Sequence, residues 1–410
     1  MKRLSLLCLF PLILSAGNLP ELLSFAEQNK HVEASRFSLE SAKEKEYATK
    51  SAYLPSLSLG ANQTYNQVES KLSPDKSRTG SATVSFTIYD GGKREALFSQ
   101  QEALVRSATF SLASTQSDAS LNVIYYYYNY LSTLASKKAT LQKKEQLVAE
   151  RQRLEKFVSV GAATDDEVQK IISSIEQTNV DLLTLDNTLN NILNALEYLT
   201  GQRVSVEEGS LVRFNEEKAT TPNERFDILA LEQSVESAKA ETDVAKSAYL
   251  PKVTIQDTYS RYKYDYENPA FQTDTNHQNV VMLAMEWKVF DFGSTSASTQ
   301  AARKNYLAKS SELAYEKSRA KASLKSAENS YKSALAKIEA AKARLKASEM
   351  TYELVKKKFQ QGIVNNVTYL DALSDKFNAQ SSLQTALNEV EYQKAVLLNE
   401  MGQEIKGAIQ

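Results

Sequence analysis

The sequence predicts a mainly α protein with some β structure, built from two copies of one plan. Residues 294–361 form a run of 68 residues without Gly or Pro, and 93–160 form a second run of the same length. Each run is followed by one Gly and then by a clean run of 39 residues, at 162–200 and 363–401. The stretches before the long runs alternate apolar and polar residues, which is typical of strands. Each half therefore predicts a helix, a β-hairpin, a very long helix, a tight turn and a shorter helix.

The amino terminus has the pattern of a secretory signal peptide. Two basic residues precede an apolar core that starts at Leu4, and small residues follow it, so we predict a signal at 1–17, cleaved after Ala16 or Gly17. The single cysteine, Cys8, comes too early to be the cleavage point of a lipoprotein. We therefore expect a mature chain with neither a lipid anchor nor a disulfide.

Composition and charge exclude several classes of function. Without the two basic residues of the signal, 47 basic side chains remain against 50 acidic ones, a net charge of −3 that argues against nucleic acid as a partner. No later stretch predicts a transmembrane helix, so any span would have to be made by strands. His31 and His277 are far apart and no cysteine accompanies them, so we predict no metal site. With no nucleophile–base pair and no phosphate loop, we expect neither an enzyme nor a cofactor.

The first repeat, 18–200, begins with a helix that Pro20 opens and Pro55 stops. A β-hairpin at 55–90 follows, because four apolar residues alternate there with Ser and Thr. These four are Ala82, Val84, Phe86 and Ile88. The remainder is a long helix, 93–160, and a shorter helix, 163–200, whose heptad seam predicts left-handed supercoiling with a neighbour.

The second repeat, 222–402, follows a short irregular linker at 201–221 and precedes a tail at 403–410. Pro222 opens its first helix, which Pro251 stops. The later elements are a hairpin at 251–291, a long helix at 294–361 and a shorter helix at 364–401. In the hairpin Asp257 falls on the apolar phase, which predicts either a bulge or pairing outside the bilayer.

The two tight turns carry capping residues. Gly161 and Gly362 occupy the position just past a helix end, where a left-handed backbone is expected. Thr164 with Glu167 predicts a capping box, and Asn365 or Asn366 predicts an N-cap in the second half.

Four strands that are apolar on one side fit an outer-membrane barrel, but four strands cannot close one. Because an open sheet edge is not tolerated in lipid, the chain has to oligomerise. Three chains give a 12-stranded β-barrel, the smallest assembly with room for a pore. The duplicated coiled-coil helical hairpins would then pack side by side into an α-barrel.

Several motifs resemble the TolC-like outer-membrane factors, also called the outer membrane efflux protein family. They are Ala-Tyr-Leu-Pro at 52–55 and again at 248–251, the hairpin exits at 90–92 and 291–293, the glycine turns, Leu-Thr-Gly at 199–201, and 367–372. The resemblance covers nearly the whole mature chain. It implies a homotrimer in the outer membrane of a Gram-negative bacterium, in contact with outer-membrane lipid and with a helical portion in the periplasm. It also implies a periplasmic adaptor and an inner-membrane transporter as partners, with docking at Gly161, Ala162, Gly362 and Ile363.

The resemblance implies a pore constriction at Asp371, where three copies would form a carboxylate ring. Thr368 stands where family members often have a second acid, and Asp375, one turn on, is a further candidate. The family's closed state uses an aromatic hydroxyl and a basic residue, which here are Phe359 and Val364. Neither can make such a bond, so their opposite partners have nothing obvious to bind. Those partners are Asp166 and Glu167.

We also predict a set of membrane-facing residues in the two hairpins. They are Val84, Phe86, Ile88, Leu283, Met285 and Trp287. The function predicted from all of this is a passive exit duct of a tripartite efflux or type I secretion system. Two alternatives are a periplasmic coiled coil that acts as a spacer, and a duct dedicated to protein secretion or metal-ion efflux.

Overall fold

The computed structural model describes residues 15–70, 72–214, 224–271 and 275–409. Most of the predicted signal, with Cys8, and the helix start at Pro222 lie outside these ranges. The helices are α1 Leu19–Ala26, α2 Lys30–Ser51, α3 Lys93–Ser159, α4 Asp165–Thr200, α5 Phe226–Lys246, α6 Ser294–Gln360 and α7 Asn366–Glu400. The strands are β1 Ser15–Gly17, β2 Ser56–Tyr65, β3 Lys76–Tyr89, β4 Val204–Val206, β5 Lys252–Asp265 and β6 His277–Glu286.

The chain forms two compact units that do not follow the two sequence repeats. The first unit comprises residues up to 35, 112–226 and 318–410, and the second comprises 36–111 and 227–317. Each unit therefore draws on both repeats. The long helices α3 and α6 have 67 residues each, which corresponds to a length of about 100 Å. Within the described ranges, no helix has both the length and the hydropathy needed to cross a bilayer.

The helix predicted from Pro20 onward is interrupted after Ala26, so the prediction of one continuous helix is wrong. The Asn29 side-chain amide donates hydrogen bonds to the carbonyl oxygens of Tyr198 (3.0 Å) and Leu199 (2.5 Å) at the end of α4. Its side-chain oxygen accepts from the backbone N–H of His31 at 3.0 Å. Asn29 thus satisfies backbone groups of two helices at once, which a continuous helix would prevent.

The core of the first unit packs α1 against α3 and α4. Among its fully buried side chains are Leu19, Leu22, Leu23, Val123, Ile124, Tyr127 and Leu196. The Tyr127 hydroxyl donates to the Glu207 carbonyl at 2.7 Å, and the Tyr128 hydroxyl donates to that of Ser210 at 3.0 Å. Burial also raises the pKa of Tyr128 well above its usual range. These bonds hold the segment after α4, which contains the short strand β4 and is therefore not wholly irregular.

Strand β1 pairs in parallel with β4, from Ser15 opposite Val204 to Gly17 opposite Val206. The Glu207 N–H also donates to the Gly17 carbonyl at 3.2 Å. Cleavage of a signal after Gly17 would remove this strand, and the signal boundary stays a prediction.

The second unit contains an antiparallel sheet with the strand order β2-β3-β5-β6. Strand β5 pairs without a break with β6, from Lys252 to Arg261, so of the two alternatives predicted at Asp257 the bulge is wrong. The irregularity lies instead on β3, between Thr87 and Tyr89. Strand β6 ends at Glu286, so Trp287 lies beyond the sheet, where its ring N–H donates to the Tyr249 carbonyl at 3.0 Å.

Candidate functional site at the helical turns and on the sheet

The turns between α3 and α4 and between α6 and α7 have the same backbone geometry. Gly161 and Gly362 have φ angles of 70° and 73°, which confirms the predicted left-handed conformation. In each turn, the glycine N–H donates a hydrogen bond to the carbonyl oxygen three residues earlier, at 3.0 Å. The N–H of the next residue donates to the carbonyl oxygen five residues before it, at 2.8 Å in the first turn and 2.9 Å in the second. This is the Schellman pattern, which satisfies the last carbonyl groups of a helix. No atom lies within 4 Å of an added Cβ at either glycine, so the dihedral angle alone requires Gly.

The caps after the two turns differ. Thr164 has the extended backbone of an N-cap, but its side chain makes no capping hydrogen bond, so the predicted capping box is wrong. Three acidic residues instead occupy the first turn of α4, where the helix dipole favours negative charge. In the second turn, the Asn365 side chain accepts from the Thr368 N–H at 3.0 Å, which confirms the predicted N-cap.

Asp166 has a partner that the residue pattern did not predict. Its carboxylate accepts a hydrogen bond from the Lys170 ammonium at 2.8 Å, one helical turn further on. That bond is the main reason why the pKa of Asp166 is below its usual value. The expectation that Asp166 has nothing to bind is therefore wrong, although its partner is on its own helix and both side chains are exposed.

Asn366 joins the two turns directly. Its buried side-chain amide donates to the backbone carbonyl of Glu167 at 3.1 Å, which ties the first turn of α7 to the first turn of α4. Glu167 thus takes part through its main chain, a contact that the residue pattern could not show.

Phe359 and Val364 both pack in an apolar cluster behind the turns. The Phe359 ring stacks on Tyr369, with centroids 4.8 Å apart and planes 14° from parallel. The Arg153 guanidinium lies 5.4 Å from the Phe359 centroid and 5.2 Å from that of Phe157. Val364 contacts the same cluster from the end of the second turn, just before α7. Phe359 therefore joins the ends of α3, α6 and α7 through ring contacts instead of a hydroxyl.

Glu150 is a buried acid that the residue pattern did not single out. One of its oxygens lies 3.4 Å from Arg153 Nη1, and the other has no hydrogen-bond partner within the described residues. Burial raises the pKa of this carboxyl, and the charge of Arg153 only partly opposes the shift. Its position in the sequence could have indicated this burial, since Glu150 lies on the heptad seam between Leu147 and Leu154, which are both buried.

The three predicted pore residues share one exposed face of α7. Thr368, Asp371 and Asp375 are separated by three and four residues, and all three are exposed. The opposite face carries Tyr369, Leu373 and Phe377, which are buried. The Thr368 hydroxyl also donates to Asn365 Oδ1 at 2.9 Å, so it belongs to the N-cap. The structure thus brings these residues onto a common stripe that does not pack in the core of the chain.

One face of the four-stranded sheet is apolar over part of its length, and we call it the apolar face. In register, Val84 lies opposite Leu57 and Asp257, and Asp257 lies opposite Val281. The face also carries Leu59, Phe86, Ile255, Leu283 and Met285. The other face is rich in Ser and Thr, with hydroxyl pairs such as Ser56–Ser85 at 2.8 Å and Thr83–Thr258 at 3.1 Å.

The six predicted membrane-facing residues differ in their exposure and in whether they lie on the apolar face. Val84, Leu283 and Met285 are exposed there, at 44%, 68% and 68% of their surface. Phe86 is half-buried, and the Arg94 guanidinium lies 5.8 Å from its ring. Ile88 falls at the irregularity of β3, and Trp287 lies past the end of β6.

Comparison with known proteins gives a consistent match over the whole fold. The family model described as "Outer membrane efflux protein" matches residues 23–202 and 221–403. The outer membrane protein TolC of Escherichia coli is 23% identical over 398 residues, with 92% of this chain and 80% of the relative covered.

Solved structures show the same fold. The outer membrane protein VceC of Vibrio cholerae has a TM-score of 0.82 at 16% identity, covering 94% of this chain and 96% of the other. The CmeC outer membrane channel of Campylobacter jejuni also has a TM-score of 0.82, at 15% identity, covering 94% and 85%. With a family model that spans most of its length and both of its repeats, this chain belongs to the outer membrane efflux protein family.

Proposed function

We propose that this outer-membrane efflux channel works as a homotrimer whose three sheets close a 12-stranded barrel. The observation that carries the proposal is the sheet itself, which has four strands, one apolar face and two edge strands, β2 and β6. Each edge leaves a row of backbone N–H and C=O groups that lipid cannot satisfy. Pairing β6 of one chain with β2 of the next satisfies both rows. The long helices of the three chains then form the α-barrel.

The Ser- and Thr-rich face of the sheet supports this arrangement. If the apolar face contacts lipid, the hydroxyl-rich face lines a water-filled lumen, which is the polarity of a large membrane barrel. The barrel is then a passive duct, and the energy for export comes from an inner-membrane transporter linked through a periplasmic adaptor. The tripartite efflux or type I secretion role follows from this arrangement, and protein or metal-ion cargo stays an alternative within it. Family membership argues against the spacer alternative.

Assembly is tested by measuring the mass of the detergent-solubilised protein by light scattering, with circular dichroism as a check on strand content. We expect a trimer. A stable monomer that keeps its β signal would contradict the proposal, because its sheet edges would then be satisfied without other chains.

We further propose that the turns are the docking tips for the adaptor. Gly161, Ala162, Gly362 and Ile363 are all exposed, and Ile363 exposes 65% of its surface, which is unusual for an isoleucine. Their shared Schellman geometry gives the tips of the two repeats the same backbone shape, which an adaptor can match at both places.

The exposed stripe of Thr368, Asp371 and Asp375 supports a pore role. Three copies of Asp371 around an axis would make a negative ring that favours cations. In planar bilayers, Asp371→Asn is expected to lower cation preference and sensitivity to divalent ions. Glu176→Gln, which removes an exposed charge from α4, is the matched control and is expected to change neither. Unchanged selectivity in Asp371→Asn would show that the constriction lies elsewhere.

We also propose that ring contacts hold the gate closed where the family uses polar ones. Arg153 reaches Phe359 from α3, and Phe359 stacks on Tyr369 of α7. A guanidinium against aromatic faces is worth about 0.5–2 kcal/mol, depending on how far it is removed from water. Arg153→Ala is therefore expected to raise the open probability of single channels. Arg151→Ala, which removes a half-buried arginine of the same helix turn that pairs with Glu155 at 3.3 Å, is the control.

A further inference from the structure

The strand register orders the apolar face into rows, and the rows change character towards the hairpin loops. The row of Val84, Asp257 and Val281 is followed by the row of Ala82 and Tyr259. The next row has Arg261 opposite Gly80 and His277, and the row after it has Lys263 opposite Arg78. Lys76 and Asp265 form the last row. Successive rows lie about 7 Å apart, since each step covers two residues of a strand.

The charges at this end of the face are mainly positive. Its strands carry four permanent cations there and one carboxylate, Asp265. Arg78 lies 3.6 Å from Asp265, and Lys76 lies 3.8 Å from Asp75 of the loop. Arg261 and Lys263 are both exposed, and neither has an ion pair within the described residues. Two cations in adjacent rows are therefore available to a ligand outside the chain.

A glycine makes room between these cations. No atom lies within 4 Å of the place where a Cβ of Gly80 would stand, so the surface is open at this point. The cleft around it is lined by Arg78, Arg261, Lys263, Ala61 and Gln63. A planar guanidinium with a neighbouring ammonium across a small gap is a good receptor for a phosphate group.

The order of the rows matches the order of layers at a membrane surface. Apolar residues come first, then Tyr259, whose amphipathic ring suits the interface, and then the basic rows. The basic rows lie at the hairpin-loop end of the strands, whereas α2, α3, α5 and α6 adjoin the other end. With the helices in the periplasm, the loop end reaches the outer leaflet, which in a Gram-negative outer membrane is a phosphorylated glycolipid.

We propose that Arg78, Arg261 and Lys263 form a site for the phosphorylated headgroup of that outer-leaflet glycolipid. The inference rests on the proposed function, because it requires the apolar face to contact lipid. The ligand is a lipid whose acyl chains lie along the apolar rows while its phosphate sits in the cleft at Gly80. Such a lipid would cover the apolar face of each chain at the level where its rows change from apolar to basic residues.

The test measures binding of diphosphorylated lipid A and of its enzymatically dephosphorylated form to the purified trimer by native mass spectrometry. The wild type is expected to prefer the phosphorylated form. Arg261→Gln/Lys263→Gln is expected to lose about 25-fold of that affinity, since each of the two cations near a charged lipid surface contributes roughly fivefold. Lys252→Gln/Lys304→Gln removes two exposed charges elsewhere in the same unit and is expected to bind as the wild type does.

Two controls separate a lipid site from simple anion binding and from a loss of assembly. Inorganic pyrophosphate is expected not to displace the lipid at equal concentration, and equal binding of pyrophosphate would overturn a lipid site. Mass by light scattering and conductance in planar bilayers are measured on every variant. Trimers that conduct but bind both lipid forms equally, or bind them regardless of Arg261 and Lys263, overturn the headgroup site alone. Failure to form trimers overturns the proposed function and, with it, this site.

Discussion

The two helix–turn–helix tips have the same backbone but different side-chain chemistry. Both close with a left-handed glycine and the same pair of hydrogen bonds. The first tip then relies on three acids in the first turn of α4, without a side-chain cap. The second has no acid in the first turn of α7, a capping Asn365, and Lys357 and Lys358 in the last turn of α6.

This difference shows that the fold requires the backbone conformation of the turn but allows the capping chemistry of the next helix to vary. The backbone path is fixed, because only a left-handed residue reverses the chain at that point. The free N–H groups at the start of the following helix can be stabilised in two ways. A capping side chain can accept a hydrogen bond from them, or negative charges in the first turn can interact with the positive end of the helix dipole. The repeats have diverged in this second feature, so the two tips offer an adaptor the same shape with opposite charge.

The largest expected effect comes from breaking the shared feature. Gly161→Val and Gly362→Val force a β-branched residue into a left-handed conformation, at a cost of at least 1–2 kcal/mol each, by rough estimate. We expect both variants to lower the thermal midpoint by similar amounts and to lose efflux-dependent drug tolerance.

Gly161→Asn and Gly362→Asn are the matched controls, since Asn tolerates positive φ and the surrounding space is open. They should retain most of the stability and function. If Asn were as harmful as Val, the small size of glycine, and not its conformation, would be what the turn needs.

A smaller and asymmetric effect is expected at the caps. Asn365→Ala removes a real capping bond and should destabilise the start of α7 by about 1 kcal/mol. Thr164→Ala removes a side chain that makes no such bond and should have little effect. Hydrogen exchange of the first-turn amides measures both, and equal loss of protection in the two variants would contradict the difference between the tips.

The third prediction concerns Glu150 behind the tips. Burial raises its folded-state pKa, so its stabilising contribution is complete below the unfolded pKa and is lost as pH rises through the folded value. Glu150→Gln should therefore be more stable than the wild type at neutral pH, and the gain should shrink towards acidic pH. Urea unfolding at a series of pH values tests this, and a gain that grew towards acidic pH would reverse the sign.

The smallest effect is expected at the exposed pair of Asp166 and Lys170. The pair lowers the pKa of Asp166, so its contribution is present above the unfolded pKa and is lost as pH falls through the folded value. Because both side chains are in water, salt screens the pair strongly. Asp166→Asn should leave the thermal midpoint unchanged in physiological salt. The Thr164 side chain also hydrogen-bonds Asp166. A clear loss in physiological salt that Thr164→Ala does not reproduce would mean that Asp166 has a further partner in the assembled trimer.

The repeat plan, the long helices, the turns and the alternation of the strands could all be predicted from the residues alone. These features depend on local chemistry: Gly and Pro mark the ends of elements, and period-two patterning marks a sheet with two different faces. The left-handed glycines and the Asn365 cap could be predicted for the same reason, since each involves only neighbouring residues.

Which polar groups meet across the chain depends on three-dimensional packing and could not be predicted in this way. Asn29 breaks the first helix because carbonyl groups at the end of α4, 169 and 170 residues away, need its amide. Arg153 of α3 and Phe359 of α6 come together from helices that are distant in sequence, and the basic rows appear only once the strand register is known. Hydrogen bonds and ion pairs are directional and short in range. A residue pattern can therefore show that such a group is out of place, but three-dimensional packing decides what it contacts.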